Sequence, residues 1–290
     1  MNIKHIITAS AVSLLLSSTA FAAGATREHA VIDQLGNENQ AFVRQNGTDN
    51  QVRVDQYGDH NDNHSEQNGR QGEAYILQTG DNNSATTFQG GVENKLNIHQ
   101  NGDHNEADVG QSDGSQNHLN LNQNGNRNYA EGDQSGHRSS AKVLQNGDRN
   151  GSSVFQSGIE DKFESVQNGN GNYVHGDQDG KGSLLKINQL GDNNYAGGTQ
   201  LGSGQRAHIN QDGSDNWADT FQEGQENMAV LEQNGSGNFA FFSQHGTHNK
   251  GEVIQNGMNN AATVCTDGVE NVAKIMQNGN ANRADILQGF

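Results

Sequence analysis

Asn227-Met228-Ala229-Val230-Leu231-Glu232-Gln233-Asn234-Gly235-Ser236-Gly237-Asn238 is the stretch from which the rest of the chain can be read. Between Asn227 and Gln233 every second residue, Ala229 and then Leu231, belongs to one set, with Met228, Val230 and Glu232 in the other. This two-residue alternation is the mark of a β-strand with one face buried. Four residues, Asn234 to Gly237, then return the chain to Asn238, where the pattern starts again. A strand of seven and a turn of four make a unit of eleven.

The same unit runs through most of the chain. Gln recurs at 34, 45, 56, 67, 78, 89, 100 and 111 and, after one step of twelve, from 123 to 288, with Thr266 as the single break. Gly sits two residues after this position in 22 of 23 turns and Asn five after it in 18 of 23, counting Asn117 as shifted. The exception to the Gly rule is Asp113, with Gly114 displaced by one, so the one-residue insertion lies in a turn. An eleven-residue period also suits a right-handed helical supercoil. Gly and Asn in almost every repeat, with period-two alternation between them, exclude helix. The face assignment can be tested by charge: of 92 inward sites in 23 strands only Asp161 is charged, and the other 50 charged residues lie elsewhere.

Strands alternate in character, which sets the structural period at 22. The third inward site of one set reads Ile76, Ile98, Leu121, Ile187, Ile209 and Leu231; that of the other reads Thr87, Gly132, Gly176, Gly198 and Thr220. A bulky sheet facing a thinner one describes an all-β, two-sided parallel β-solenoid of amyloid type, with stacked 22-residue coils of two strand–turn units each. Inward amides would lie over their copies one coil away and hydrogen-bond along the stack. The ladder set is Gln45, Asn50, Gln56, Gln100, Asn105, Gln145, Asn150, Gln189, Asn194, Gln233, Asn238, Gln277 and Asn282. Gly47, Gly58, Gly102, Gly147, Gly191, Gly235 and Gly279 are the turn glycines, expected to supply positive φ.

Composition agrees with this. The chain has 290 residues, 30% of them hydrophobic, 38 Gly, no Pro and one Cys, against about 45–50% apolar residues in an ordinary globular domain. Polar ladders must replace part of the apolar core. A formal charge of −17 disfavours nucleic acid as a partner. One Cys excludes an internal disulfide or a Cys-based zinc site, the His residues are scattered, and no cofactor or metal is expected.

Met1–Ala22 reads as a secretory signal, with Lys4, an apolar stretch from Ile6 to Leu16, and Ala20-Phe21-Ala22 as the cleavage site. Residues 23–33 are then a short leader, and residues 34–290 the solenoid of 23 repeats, with Asn39 to Gln45 as its first strand.

Two outward rows stand out. Asp59, Asp81, Asp103, Asp148 and Asp192 share one turn position, where neighbouring carboxylates should repel and raise each other's pKa. They are read as gatekeepers that slow premature assembly. Tyr129, Tyr173, Tyr195, Trp217 and Phe239 each follow the repeat Asn at multiples of 22 and should stack into an exposed column, interrupted at Gly151. Such a column either stabilises the rod or serves bundling or surface carbohydrate. Strand Asn61–Gln67, with Asn63 and Ser65 inside, is expected to be a weak point.

At this spacing the residues resemble the curlin repeat of bacterial curli subunits, most closely at Gln145-Asn146-Gly147-Asp148-Arg149-Asn150 and from Gln277 to Ala284. The resemblance covers about residues 34–288. It implies a secreted amyloid fibre subunit at the surface of a Gram-negative bacterium, self-assembling into a homopolymer for adhesion and biofilm matrix. By the same resemblance its partners are an outer-membrane export pore and a nucleator subunit. Alternatives are a minor curlin acting as nucleator at the outer membrane, and a monomeric β-solenoid adhesin. The chain departs from the family in its number of repeats and in lacking a Gly-rich export segment.

Enzyme classes fit poorly. A polysaccharide lyase built on a β-helix breaks its repeats with loops that form a cleft. An outer-membrane barrel needs an apolar outward band, where this chain has Arg53, His64, Asp108 and Glu131. Neither end shows a cap, and no Pro blunts an edge strand.

Overall fold

The computed structural model describes residues 27–289, together with the backbone of Ile6–Ile7 and Ser17–Ala22. Most of the secretory signal expected over Met1–Ala22 lies outside the described residues. The described chain contains strands and turns and no helix. It divides into two compact units, one ending at Asp148 and the other beginning at Arg149.

The first unit holds two parallel sheets. One orders His29–Leu35, Gln51–Tyr57, Glu73–Thr79, Lys95–Asn101, His118–Asn124 and Ser140–Asn146; the other orders Gln40–Gln45, Asp62–Gln67, Ser84–Gln89, Glu106–Gln111 and Tyr129–Gln134. The chain alternates between them, so each strand pairs with the strand after next. The second unit repeats the scheme. Gly151–Gln156, Tyr173–Lys181, Tyr195–Ser203, Trp217–Gln225, Phe239–Thr247, Ala261–Val269 and Arg283–Gln288 form one sheet. Lys162–Asn168, Leu184–Leu190, Arg206–Ser214, Met228–Ser236, Lys250–Met258 and Val272–Asn278 form the other. Each unit is a two-sided parallel β-solenoid.

The register is 22 residues, as in Arg206 opposite Met228 and Gln211 opposite Gln233. Across the insertion it becomes 23, with Lys95 opposite His118 and Glu106 opposite Tyr129. The extra residue is absorbed in the turn, and the strands on either side stay aligned.

The solenoid starts earlier than the repeat count predicts. His29–Leu35, expected to lie largely in the leader, is a full strand with Ala30, Ile32 and Gln34 buried. Its inward residues follow the repeat; Glu28 in the Asn slot is what hides it in the sequence. Upstream, the backbone of Ser17–Ala22 runs parallel beside Gln40–Gln45, and Ile6–Ile7 beside Val31 and Ile32.

Packing between the facing sheets is by size. A Cβ on Gly176 would meet the ring of Phe163, one on Gly198 would meet both methyls of Leu185, and one on Gly251 would overlap the ring of Phe242. Phe163, Leu185 and Phe242 are all fully buried. The thin sites on one sheet are where bulky side chains arrive from the other, and between Phe163 and Phe242 the bulk changes sheet. The strand expected to be weak is internally satisfied. Ser65 Oγ donates to Asn63 Oδ1 at 2.9 Å, Thr87 Oγ1 to Ser65 Oγ at 3.0 Å, and Asn63 Nδ2 to the Ala85 carbonyl at 3.3 Å.

Candidate functional site

The inward Gln side chains form continuous ladders because each strand ends on the same residue in the same register. In one sheet of the first unit Gln34 Nε2 donates to Gln56 Oε1 at 2.6 Å, Gln56 to Gln78 at 2.7 Å, Gln78 to Gln100 at 2.9 Å, Gln100 to Gln123 at 3.0 Å and Gln123 to Gln145 at 3.0 Å. In the second unit Gln167, Gln189, Gln211, Gln233, Gln255 and Gln277 make a like series at 2.8–3.1 Å. From Gln56 onward the second amide hydrogen donates to a backbone carbonyl of the facing sheet, as Gln56 Nε2 does to Gln40 O at 2.9 Å. These amides are buried. Without both partners they would be costly to enclose.

The Asn ladder accepts where the Gln ladder donates. Asn61 donates its backbone N–H and its Nδ2–H to Asn39 Oδ1, at 2.9 and 3.2 Å, and a further Nδ2–H to the Gly80 carbonyl of the next coil at 2.7 Å. Asn83, Asn105 and Asn128 continue the column, and Asn172, Asn194, Asn216, Asn238, Asn260 and Asn282 do so in the second unit. Asn150 Oδ1 accepts from Asn172 N at 3.1 Å. Donors therefore point forward along the chain in the Gln columns, and acceptors point forward in the Asn columns. Asn50 opens its column on Glu28, whose two carboxylate oxygens take its N–H and Nδ2–H at 3.1 and 3.2 Å. Burial nonetheless pushes the Glu28 pKa up, against the hydrogen bonds from Asn50.

The columns have defects. Gly72 takes an Asn place and donates its own N–H to Asn50 Oδ1 at 2.9 Å. Gln205 substitutes at another, its Oε1 accepting Asn227 N at 3.0 Å. Thr266 is the break in Gln: its Oγ1 and the Gln288 Oε1 beyond it are buried and unpartnered. Cys265 beside it is half-buried, its thiol pKa raised by burial and then by Asp285.

The turns correct one expectation. Gly58 has φ near 122° and Gly102 near 120°, and Gly147, Gly191, Gly235 and Gly279 fall in the same range. Gly47 has no positive φ, yet a Cβ there would run into the Gly69 carbonyl of the next coil. Close approach of stacked backbones is what demands glycine. The left-handed residue common to most turns sits two places on and is usually not glycine, as at Glu38, His60, Asn82 and His104 with φ between 55° and 58°.

The acidic row corrects another. Asp59 Oδ1 accepts the backbone and side-chain N–H of Asn37 at 2.7 and 3.0 Å, Asp81 accepts from Asp59 N at 2.8 Å, and Asp103 from Asp81 N at 2.9 Å. Asn126 joins the row, and Asp148 accepts its N–H at 2.8 Å. Asp192 accepts from Asn170 N at 2.8 Å in the second unit. The hydrogen bonds from Asn37 lower the Asp59 pKa, the opposite of the expected rise. Each carboxylate accepts an amide N–H from the adjoining coil, and at Asp59 these hydrogen bonds set the direction of the shift.

Of the aromatic column, Tyr173, Tyr195, Trp217 and Phe239 stack in series. Their centroids are 5.8, 5.5 and 4.5 Å apart and adjacent rings lie within 11° of parallel. A Cβ on Gly151 would touch the Tyr173 ring, so that glycine leaves room for its edge. Tyr129 belongs to the first unit, with its hydroxyl 3.5 Å from Glu131.

Sequence reasoning missed one outward cluster. Arg53 Nε reaches Asp55 Oδ2 at 2.8 Å, Tyr75 OH donates to the same oxygen at 3.2 Å, and the guanidinium lies 5.9 Å from the Tyr75 ring centroid. Asp55 is thereby 2% exposed on a face assigned to solvent. Opposite charges two residues apart on one strand face were the available signal.

Comparison with known proteins matches four segments, residues 29–62, 91–125, 183–213 and 213–246, to the curlin associated repeat. No curated protein matches the chain. The first segment begins on His29, the residue that opens the first strand of the repeat series. With these four matches set on two-sided coils of 22 residues, the chain is one that carries the curlin associated repeat in both of its units.

Proposed function

We propose that this chain is a structural subunit of an extracellular, curli-type functional amyloid, exported with loss of Met1–Ala22 and polymerised head to tail. The observation that carries this is the complementarity of the ladder ends. At the C-terminal end Gln277 and Gln288 donate to the Ala261 and Val272 carbonyls, and among the described residues no Gln lies ahead to take the second amide hydrogen. At the other end Gln34 and Gln45 donate forward, and no described amide lies behind to donate to their Oε1 atoms.

The repeat makes Gln34 equivalent to Gln277, Gln45 to Gln288 and Asn39 to Asn282. A second copy therefore continues three of the columns: Gln277 and Gln288 donate to its Gln34 and Gln45, and its Asn39 donates to Asn282 Oδ1. The last described strand, Arg283–Gln288, buries none of its residues fully. Ser17–Ala22 lies along the edge of Gln40–Gln45 in the intact chain, so removing Met1–Ala22 frees that strand for a partner. Adhesion and matrix formation, with an export pore and a nucleator as partners, follow from the family resemblance.

The test is assembly of residues 23–290 in dilute buffer, followed by thioflavin fluorescence and fibre diffraction. Growth accelerated by preformed fibres, with reflections near about 4.7 and 10 Å, is the expected result. A stable monomer indifferent to seeds would overturn the proposal.

A further inference from the structure

Apart from Glu28 at the start of the series, Asp161 is the only charged residue among the described inward sites, and it is fully buried. It occupies an Asn position in the second unit, next to Ser183 in its column. Its Oδ1 does what an Asn Oδ1 does, accepting the Ser183 backbone N–H at 2.8 Å. Its Oδ2 stands where an Asn would carry Nδ2. A Cβ built on Gly158 would meet Asp161 Oδ2, the Gly180 carbonyl oxygen and the Gly180 nitrogen, where one built on Gly47 would meet Asn50 Nδ2 and the Gly69 carbonyl. At the Gly47 site Asn50 Nδ2 donates to that carbonyl at 2.9 Å. At Asp161 an oxygen takes the place of that nitrogen beside the Gly180 carbonyl, which accepts the Ile159 N–H at 2.8 Å, and Oδ2 has no hydrogen bond of acceptable geometry although the Gly180 nitrogen also lies close to it. The Ser183 hydroxyl is also buried and unpartnered.

A carboxylate cannot donate, and a neutral carboxylic acid can. We propose that Asp161 is a proton-operated latch in the amide ladder. As the acid, its Oδ2–H donates to the Gly180 carbonyl in the manner of an Asn amide; as the carboxylate, it leaves that carbonyl facing an anion inside the sandwich. Closing this coil therefore takes one proton from solvent, and the solenoid closes more readily in mild acid.

The surroundings agree. Burial raises the Asp161 pKa most, the Ser183 and Gly180 amides lower it, and Asp179 raises it further. Glu160, Lys162 and Lys181 are the other charged groups nearby in the chain and its neighbouring coil, and all three are exposed. A carboxyl raised in the folded state binds more protons folded than unfolded. Its contribution to stability is complete below the ordinary Asp value and is lost as pH rises through the folded value. One proton limits the effect to about tenfold in the folding equilibrium per pH unit.

The test compares the full chain with Asp161→Asn, Asp161→Ser and, as an exposed control, Asp62→Asn. Denaturation is measured between pH 4.5 and 7.5, about the span over which a raised carboxyl titrates, and infrared spectra are taken at neutral pH. Wild type and Asp62→Asn should lose stability as pH rises, by up to about tenfold per unit. Asp161→Asn and Asp161→Ser should flatten that slope, and Asp161→Asn should be the more stable protein at neutral pH. A protonated-carboxyl band in the folded wild type should vanish in Asp161→Asn. An unchanged slope in both Asp161 variants, or no such band at a pH where the slope predicts the acid, would overturn the proposal.

Discussion

Replacing Gln189 by Ala probes what holds the solenoid together. Gln189 is 1% exposed within Leu184–Leu190 and makes three hydrogen bonds: to Gln211 Oε1 at 2.9 Å, to the Tyr173 carbonyl at 3.1 Å, and from Gln167 Nε2 at 3.1 Å. Alanine removes all three and leaves Gln211 Oε1 enclosed without a donor. At about 1 kcal/mol net per bond, with a further cost for the stranded acceptor and the space vacated, the loss should be about 3–5 kcal/mol. The single Trp, Trp217, lies in the same unit, so its fluorescence during guanidinium titration reports the event directly. Asn188, the adjacent outward amide, bonds Asn210 Oδ1 at 2.8 Å while half-buried and serves as reference. Asn188→Ala should cost about 0.5–1 kcal/mol. If Gln189→Ala costs no more than Asn188→Ala, enclosed amide ladders are not what replaces the missing apolar core.

Thr266→Gln should act in the opposite sense, joining Gln244 to Gln288 through two new ladder bonds and raising stability by about 1–3 kcal/mol in the same titration. Gly251→Val should destabilise by about 1–3 kcal/mol or more, because its side chain enters the space of the Phe242 ring; Phe242→Ala in the same chain should recover part of that loss. Asp81→Asn should stay within about 0.5 kcal/mol of wild type, since an amide oxygen can accept the Asp59 N–H as the carboxylate does, whereas Asp81→Ala should lower the guanidinium midpoint. Asp59 titrates with the reverse sign to Asp161. Its lowered pKa means a stabilising contribution present above the ordinary carboxyl value and lost as pH falls through the folded value, so Asp59→Asn should be less acid-sensitive than wild type below about pH 4.

How much of this could be read from the residue order is set by periodicity. A step of two marks which residues are inward, a step of eleven marks the strand–turn unit, and alternation in bulk marks two strands per coil. These are local regularities, and a parallel stack turns each of them into a column. Parallel in-register pairing places a residue on its own copy, so the Gln and Asn ladders could be foreseen before any coordinate. His29–Leu35 was missed because Glu28 stands where the repeat has Asn, although the carboxylate still accepts what Asn would accept.

Tertiary structure alone decided three matters. Which atoms donate along each column depends on how the amides turn, and this made the two ladders opposite in polarity. The sign of the Asp59 shift depends on backbone N–H groups arriving from the adjoining coil, which proximity of charges in the sequence does not reveal. The pairing of Gly176 with Phe163 and of Gly251 with Phe242 joins residues on opposite sheets, set by how the two faces interdigitate. Sequence periodicity determines what lies above and below a residue in its own column. What lies across the sandwich from it is settled only when both sheets are packed, because that distance is fixed by the volumes of side chains from both.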